Sequence, residues 1–306
     1  NPLIVTDQAM DKLGYIDQLK SVCTLCELDT FDATEPEPST TSIYKGVAYF
    51  NDRGPYDAII GIGGGSVIDS AKMIAMLAKN GGLAREFKVP RVVNDDTFPV
   101  IAIPTTSGTG SEVTGVCVIS DHETQEKMLM LGPSFMPKAA IIDHTLTRTL
   151  PPRVTADSGL DALTHAIEAY ISVKASLYTD TTALGALGLI GPSLVTVCKE
   201  PNNDTAREKM MLGATFAGMA FSNASVGLVH GMSRPLGVFF HIPHGMSNAM
   251  ILHLVLTYLR SPETDKKYAA CYRAMGHQAS ADDVASTEFL HLIKHICDTL
   301  EAHTLS

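Results

Sequence analysis

Hydrophobic residues in the first half of the chain form short continuous runs separated by stretches with helical spacing. The runs LIVTD (3–7), DAIIGIGGGS (57–66) and FPVIAIP (98–104) are typical of buried strands. Helical spacing follows over 8–26, 41–51 and 67–80. Strands that are apolar on both faces and alternate with helices predict a parallel sheet with helices on both sides.

The pattern changes at Leu150-Pro151-Pro152, after which β-branched runs almost disappear. Helical spacing then predicts helices over 155–173, 178–199, 204–220, 224–236, 246–259 and 283–302. We therefore expect an α/β fold class with two domains: a parallel-sheet domain over 1–150 and an all-helical domain over 151–306.

Composition narrows the functional class. The 306 residues contain 23 Lys and Arg against 33 Asp and Glu, a net charge of −10, and no basic run. Such a chain lacks the electrostatic footprint of a nucleic-acid or anionic-membrane binder. No stretch offers about 20 clean apolar positions for a membrane span, and the start, NPLIVTD, has no signal-type pattern. We expect a cytoplasmic protein.

Six scattered cysteines do not make a disulfide framework. Cys23 and Cys26 form one CxxC without a second pair, and we expect them to share a helix face.

Two loops carry candidate phosphate-binding chemistry. Gly63-Gly64-Gly65-Ser66 stands between a strand and a helix, where backbone N–H groups can approach an anion closely. The alternative is a tight turn with Ser66 as the helix N-cap. The loop over 104–111 adds five hydroxyl side chains after another strand, at the edge where parallel sheets bind ligands. Together the two loops predict a cofactor that bears phosphate.

Asp7 ends the first strand, where a carboxylate could accept hydrogen bonds from a ribose diol and would repel a 2′-phosphate. Its alternative role is the N-cap of the following helix.

The second half contains a candidate metal site. Asp161 and His165 stand four residues apart, on one face of a predicted helix, and His230 and His244 follow fourteen residues apart. Three imidazoles and one carboxylate suit Zn²⁺ or Fe²⁺ better than Ca²⁺ or Mg²⁺. A plain contact between Asp161 and His165, or histidines buried in a core, remains open as an alternative.

Four motifs taken in order, GGGSVIDSAK (63–72), PTTSGTGSEVT (104–114), DALTHAIEAY (161–170) and VHGMSRPLGVFFHIPHG (229–245), resemble the iron-containing (group III) alcohol dehydrogenases. The likeness is greatest to members of the lactaldehyde reductase and propanediol dehydrogenase kind. It implies metal-dependent hydride transfer between NAD(H) and a short primary alcohol or aldehyde, with Fe²⁺ or alternatively Zn²⁺. It also implies that the domain over 1–150 binds NAD and that the domain over 151–306 binds the metal and the substrate, with a deep cleft between them. Finally, it implies a homodimer or larger homo-oligomer.

The resemblance also assigns residues. It places the metal on Asp161, His165, His230 and His244. It places the pyrophosphate near Gly64, Gly65 and Ser66 with Asp69 nearby, the rest of the nucleotide groove on Thr105, Thr106, Thr109 and Thr114, the nicotinamide ribose near Lys127, and the adenine ribose at Asp7, which favours NAD over NADP.

The chain departs from the family pattern at several points. Arg234 stands where several members have a second histidine, so His241 becomes our candidate for proton transfer and the catalytic residue. Glu37 stands between two prolines where relatives often have Asn. The chain also looks short at both ends relative to the family.

Three other functions are alternatives to an alcohol dehydrogenase. A lyase resembling dehydroquinate synthase would oxidise its substrate only transiently and would need more Lys and Arg near the motifs than Arg234. A metal-dependent hydrolase would bind no nicotinamide. An inactive binding or remnant protein is the third alternative.

Overall fold

A computed structural model describes residues 1–240 and 242–302. The chain forms two compact units, the first from Asn1–Thr105 and Ser111–Ile142, the second from Thr106–Gly110 and the chain from Asp143 on. Each unit has its own apolar core. The assignment of nucleotide binding to 1–150 and of metal binding to 151–306 stays a prediction.

Seven strands lie within the described part of the chain. They are β1 (Pro2–Val5), β2 (Asp29–Phe31), β3 (Ala58–Gly63), β4 (Val100–Pro104), β5 (Val116–Asp121), β6 (Glu126–Leu131) and β7 (Ala139–Ala140). Five form a parallel sheet in the order β2-β1-β3-β4-β7, while β5 and β6 form an antiparallel hairpin. With the helical second half, this sheet confirms the predicted fold class.

The register of the sheet places the candidate nucleotide loops side by side. Ile60 of β3 pairs with Ile4 of β1 on one side and with Ile101 of β4 on the other. Since these strands are parallel, their carboxyl ends meet at one edge. There the Thr105 amide donates to the Gly63 carbonyl at 2.9 Å, so the glycine loop and the start of the threonine loop are hydrogen-bonded neighbours.

Four helices belong to the first unit: α1 (Gln8–Lys12), α2 (Tyr15–Val22), α3 (Thr40–Arg53) and α4 (Gly65–Asn80). The single helix predicted over 8–26 is two helices, because Gly14 takes a left-handed conformation (φ +77°) that breaks the run. Since α2 ends at Val22, Cys23 and Cys26 follow the helix, and the prediction that they share a helix face is wrong.

Eight helices cover most of the described second unit. They are α5 (Pro152–Ile171), α6 (Leu177–Ile190), α7 (Leu194–Lys199), α8 (Asp204–Ala224), α9 (Leu228–Phe240), α10 (His244–Tyr258), α11 (Pro262–Ala274) and α12 (Asp282–Thr299). The helix predicted over 178–199 is interrupted at Gly191-Pro192. The helix α11 was not predicted, although Ser261 and Thr264 cap each other at its start and Pro262 is its first residue.

One helical stretch, Leu177–Lys199, is long and apolar enough to cross a membrane by length and composition alone. The bent pair Asp204–Ala224 and Leu228–Gly237 would add a second if counted as one span. Core helices of globular domains meet the same criterion. Ala186, Leu187 and Ile190 of α6 are fully buried in the core of the second unit, as in a core helix.

Candidate metal centre and nucleotide loops

The long helix α5 carries three acidic or imidazole side chains along one face. Asp161, His165 and Glu168 follow at spacings of four and three residues, which brings them onto the same face of a helix. All three are buried, and Glu168 is fully inaccessible to solvent. Such groups are costly to bury without partners, so the face they share must meet complementary groups.

Those groups come from the beginnings of two later helices. His230 lies in the first turn of α9, and His244 is the first residue of α10. The Nε2 atoms of His230 and His244 lie 3.4 Å and 3.7 Å from Asp161 Oδ1. One ligand atom from each of these three residues falls within 4.8 Å of the others. The structure therefore brings together three of the four predicted metal ligands.

His165 adjoins this group. Its Nδ1 lies 3.8 Å from Asp161 Oδ2, and its ring stacks between Phe221 and His230 with centroid distances of 4.1 Å and 4.5 Å. Within residues 1–240 and 242–302, this buried Nδ1 has no hydrogen-bond partner. A buried nitrogen without a hydrogen bond is unusual.

At Asp161 and His165, the electrostatics of the site favour the protonation state that binds a cation. Burial acts to raise the pKa of Asp161, yet His165, His244 and His230 together hold it well below its usual range. Burial lowers the pKa of His165 to about 3, so its imidazole is neutral near pH 7. Burial opposes protonation of His230 too, but the nearby carboxylates of Asp161 and Glu168 raise its pKa above the ordinary value.

A divalent ion fits this donor set. One carboxylate and several imidazole nitrogens are ligands that Fe²⁺ and Zn²⁺ accept. An ion between them would give the unpaired His165 nitrogen a partner and offset the negative charge of Asp161. The ligand set itself stays a prediction.

Sequence reasoning missed two residues that support this cluster. Glu168 Oε2 lies 2.6 Å from His230 Nδ1, while the Asn248 amide nitrogen lies 2.8 Å from Asp161 Oδ1 and 3.2 Å from His230 Nε2. The Asn248 amide oxygen accepts a hydrogen bond from Ser233. Helical spacing could have indicated both, because Glu168 stands seven residues after Asp161 and Asn248 four after His244.

In the glycine loop, the N-cap of the following helix is a glycine and not Ser66. Gly64, with extended backbone, is the N-cap of α4, and the helix begins at Gly65. The alternative in which Ser66 caps the helix is therefore wrong. The Ser66 hydroxyl instead donates to the carbonyl of Pro36, which ties the Pro36-Glu37-Pro38 turn to the first turn of α4.

Asp69 and Thr114 make internal contacts in the first unit. The Asp69 carboxylate accepts from the Ser111 hydroxyl at 2.6 Å and from the Val118 amide at 2.9 Å. Burial raises its pKa despite the nearby Lys72. The Lys72 ammonium, itself buried, donates to the Thr114 carbonyl at 3.0 Å. These contacts fix the β5–β6 hairpin against α4.

The other predicted nucleotide residues occupy both units. Thr105 is buried at the end of β4, while Thr106 and Thr109 belong to the second unit. In the second unit the threonine loop packs closely on α8, because a Cβ on Gly110 (φ +62°) would lie 2.6 Å from the backbone of Gly218. Nucleotide binding by these threonines stays a prediction.

Lys127 and Asp7 each have a partner within the first unit. Lys127 Nζ lies 2.8 Å from Glu37 Oε1, so the residue that departs from the family pattern pairs with the predicted ribose-binding lysine. Asp7 is the N-cap of α1, and its Oδ1 accepts from the amides of Ala9 and Met10. The alternative role predicted for Asp7 is therefore confirmed, and ribose binding stays a prediction.

The predicted catalytic residue, His241, lies outside the described residues. Arg234, on α9, is exposed.

The sequence matches two family models along nearly its whole length. Residues 1–144 match "Iron-containing alcohol dehydrogenase", and residues 155–305 match "Fe-containing alcohol dehydrogenase family, C-terminal".

Relatives are similar over most of this chain. It is 44% identical over 273 residues to aldehyde-alcohol dehydrogenase 2 of Entamoeba histolytica, covering 83% of this chain and 31% of that protein. It is 40% identical over 283 residues to long-chain-alcohol dehydrogenase 1 of Geobacillus thermodenitrificans, covering 91% and 71%. The chain thus spans less than a third of the amoebal protein's length.

Solved structures share the fold. A 1,3-propanediol oxidoreductase superposes with a TM-score of 0.93 at 33% identity, covering 99% of this chain and 80% of that one. Sulfoacetaldehyde reductase from Bifidobacterium kashiwanohense, in complex with NAD⁺, gives 0.88 at 27% identity, covering 97% and 78%. Matches to both family models, in order and over both halves of the sequence, show that this chain belongs to the iron-containing alcohol dehydrogenase family.

Proposed function

We propose that the protein is a metal-dependent, NAD(H)-linked alcohol dehydrogenase and aldehyde reductase that transfers hydride between the nicotinamide and a short primary alcohol or aldehyde. The observation that carries this proposal is the group formed by buried Asp161 and His230 with half-buried His244, next to His165, whose buried Nδ1 has no hydrogen-bond partner among the described residues. Membership of the family supplies the reaction class, and the cluster supplies a place for the metal.

The four residues Asp161, His165, His230 and His244 would hold the ion. When bound, a divalent ion supplies Lewis-acid chemistry that stabilises negative charge on the oxygen of an alcohol or carbonyl. Asp161 would provide the negative charge, and the three imidazoles would provide nitrogen donors. Fe²⁺ is the proposed ion, with Zn²⁺ as the alternative that accepts the same ligands.

The nucleotide would be bound through the carboxyl edge of the sheet. Gly64, Gly65 and Ser66 stand at the start of α4, where backbone N–H groups and the helix dipole favour a pyrophosphate. The predicted contributions of Asp69, Thr105, Thr106, Thr109, Thr114 and Lys127 belong to this proposal. Asp7 would hold the adenine ribose and favour NAD over NADP.

The relatives of this chain are named for different substrates. One is named for 1,3-propanediol and another for long-chain alcohols. We propose a short primary alcohol or aldehyde. A panel of straight-chain aldehydes from two to eight or more carbons would test that choice, and rates that increase with chain length would contradict it.

Assembly and location belong to the same proposal. We expect a homodimer or larger homo-oligomer, which light scattering on the protein eluted from a size-exclusion column tests directly. We also expect the protein to be cytoplasmic. The proton-transfer role of His241 also stays a proposal.

The central experiment is anaerobic reconstitution with Fe²⁺ or Zn²⁺, followed by NADH consumption with short aldehydes. His230→Ala and His244→Ala should remove bound metal and turnover together. His291→Ala, at an exposed histidine on α12, is the matched control and should retain both. Metal and turnover retained in both site variants would refute the assignment. Substrate conversion without net loss of NADH would favour the lyase.

A further inference from the structure

Glu168 is buried at the junction of α5 and α9, and the mechanism above does not use it. Its Oε2 lies 2.6 Å from His230 Nδ1, and its Oε1 accepts from the Val229 amide at 2.6 Å. The His230 amide lies 3.3 Å from Oε2. Both carboxylate oxygens are therefore engaged at the first turn of α9.

The backbone fixes how Glu168 is oriented. The amides of Val229 and His230 lie in the first turn of α9, where N–H groups have no partner within the helix. A carboxylate there satisfies these amides and complements the helix dipole. A Cβ on Gly227 would lie 2.8 Å from Glu168 Oε1, so the glycine permits this close approach.

This arrangement determines which nitrogen of His230 carries the proton. The carboxylate can only accept, so Nδ1 must donate to it. In the neutral ring, the form that binds a metal, Nε2 then carries the lone pair, and Nε2 lies 3.4 Å from Asp161 Oδ1. The Asn248 amide nitrogen, a donor whose partner oxygen is engaged by Ser233, lies 3.2 Å from the same Nε2 and is consistent with that tautomer.

We propose that Glu168 is a positioning residue for the metal site, which holds His230 in the Nδ1–H tautomer so that Nε2 binds the ion. This inference rests on the proposed metal-dependent function. Carboxylate partners of metal-binding histidines fix ring orientation and increase ligand basicity, and their loss typically costs about 10–100-fold in affinity or activity.

Glu168→Gln separates this role from simple helix capping. The side chain keeps its size. Its amide oxygen must face the Val229 N–H, because an NH₂ group at that position would place two hydrogen-bond donors against each other. The NH₂ group then faces His230 Nδ1 and requires it to accept. The ring proton moves to Nε2, and the ligand lone pair is lost while the hydrogen bond from the Val229 amide remains.

The test measures Zn²⁺ affinity of the full chain by competition with a chromophoric chelator. We expect Glu168→Gln to bind Zn²⁺ about 10–100-fold more weakly than the unchanged protein, with the circular dichroism of the metal-free form retained. The matched control is Glu288→Gln, at an exposed carboxylate 3.6 Å from His291 Nδ1, and should leave Zn²⁺ affinity unchanged.

Equal Zn²⁺ affinity in Glu168→Gln and the unchanged protein would overturn the proposal while leaving the proposed function intact. Absence of Zn²⁺ and Fe²⁺ binding by the unchanged protein would overturn both.

If Glu168→Gln does not fold, nitrogen-15 NMR of histidine-labelled, Zn²⁺-loaded unchanged protein decides the question, with His230→Gln used for assignment. A proton on His230 Nδ1 and metal on Nε2 support the proposal. Metal on Nδ1, or a ring without the Nδ1 proton, overturns it.

Discussion

At the residue scale, Asp7 combines two roles that substitutions can separate. Its Oδ1 caps α1 through Ala9 and Met10, and its negative charge would repel a 2′-phosphate. Asp7→Asn keeps a capping oxygen and removes the charge, so we expect stability to hold and the preference for NADH over NADPH to fall on the order of tenfold, equivalent to about 1.4 kcal/mol.

Asp7→Ala serves as the comparison, because it removes both the charge and the cap. It should lose about 1 kcal/mol of unfolding free energy in addition. Fluorescence titrations with NADH and NADPH, together with urea unfolding, measure the two effects. An unaltered cofactor preference in Asp7→Asn would leave Asp7 as a helix cap alone.

A second prediction at this scale concerns Glu37 and also rests on the proposed nucleotide site. Its ion pair with Lys127 neutralises a cation that would otherwise attract the dinucleotide. Glu37→Gln frees Lys127, and we expect NADH to bind about two- to fivefold more tightly, the range of a surface ion pair. Glu126→Gln is the matched control, because it frees Lys88 from a similar ion pair. Weaker NADH binding in Glu37→Gln would show instead that the carboxylate itself contacts the nucleotide.

At the scale of elements, the metal site depends on close contact between α5 and α10. A Cβ on Gly245 would lie 1.9 Å from the carbonyl oxygen of Asp157 on α5. The glycine next to His244 therefore lets the two helices approach closely enough to bring Asp161 and His244 together.

Gly245→Ala should push α10 away from α5. We expect a loss of about 1–3 kcal/mol in unfolding free energy, as for other overpacked sites, and weaker metal binding. Gly231→Ala is the matched control, because a Cβ there meets nothing within 4 Å, and Ala in a helix should if anything stabilise by up to about 1 kcal/mol. Thermal unfolding and metal titration of both variants give the comparison. Equal stability and affinity in the two would contradict the packing argument.

Elements differ in how far the sequence could predict them. Apolar runs identified β1, β3 and β4 because these strands are buried on both sides. The β5–β6 hairpin was missed, since EKMLML alternates exposed and buried positions only partly and no Asn-Gly or Asp-Gly turn marks it. The helix α11 has few apolar positions, and its cap was a more informative signal than its periodicity.

At the scale of the whole molecule, sequence motifs identified the two halves and most of the candidate site. Asp161, His230 and His244 come from three helices that are far apart in the chain, yet their residue types and order indicated a common site. Helical spacing could indicate that Glu168 and Asn248 lie on the faces that carry the ligands. It could not predict their contacts, because these depend on which backbone amides and ring nitrogens face them in the folded unit.

The central claim is that one divalent ion on this cluster is required for hydride transfer. The most direct measurement is anaerobic titration of metal-free protein with Fe²⁺, following aldehyde-dependent NADH oxidation at each step. We expect negligible turnover without metal, then a linear increase in rate that reaches a plateau at one ion per chain, and no increase in His230→Ala. Full turnover in the presence of excess chelator, or a rise that His230→Ala retains, would contradict it.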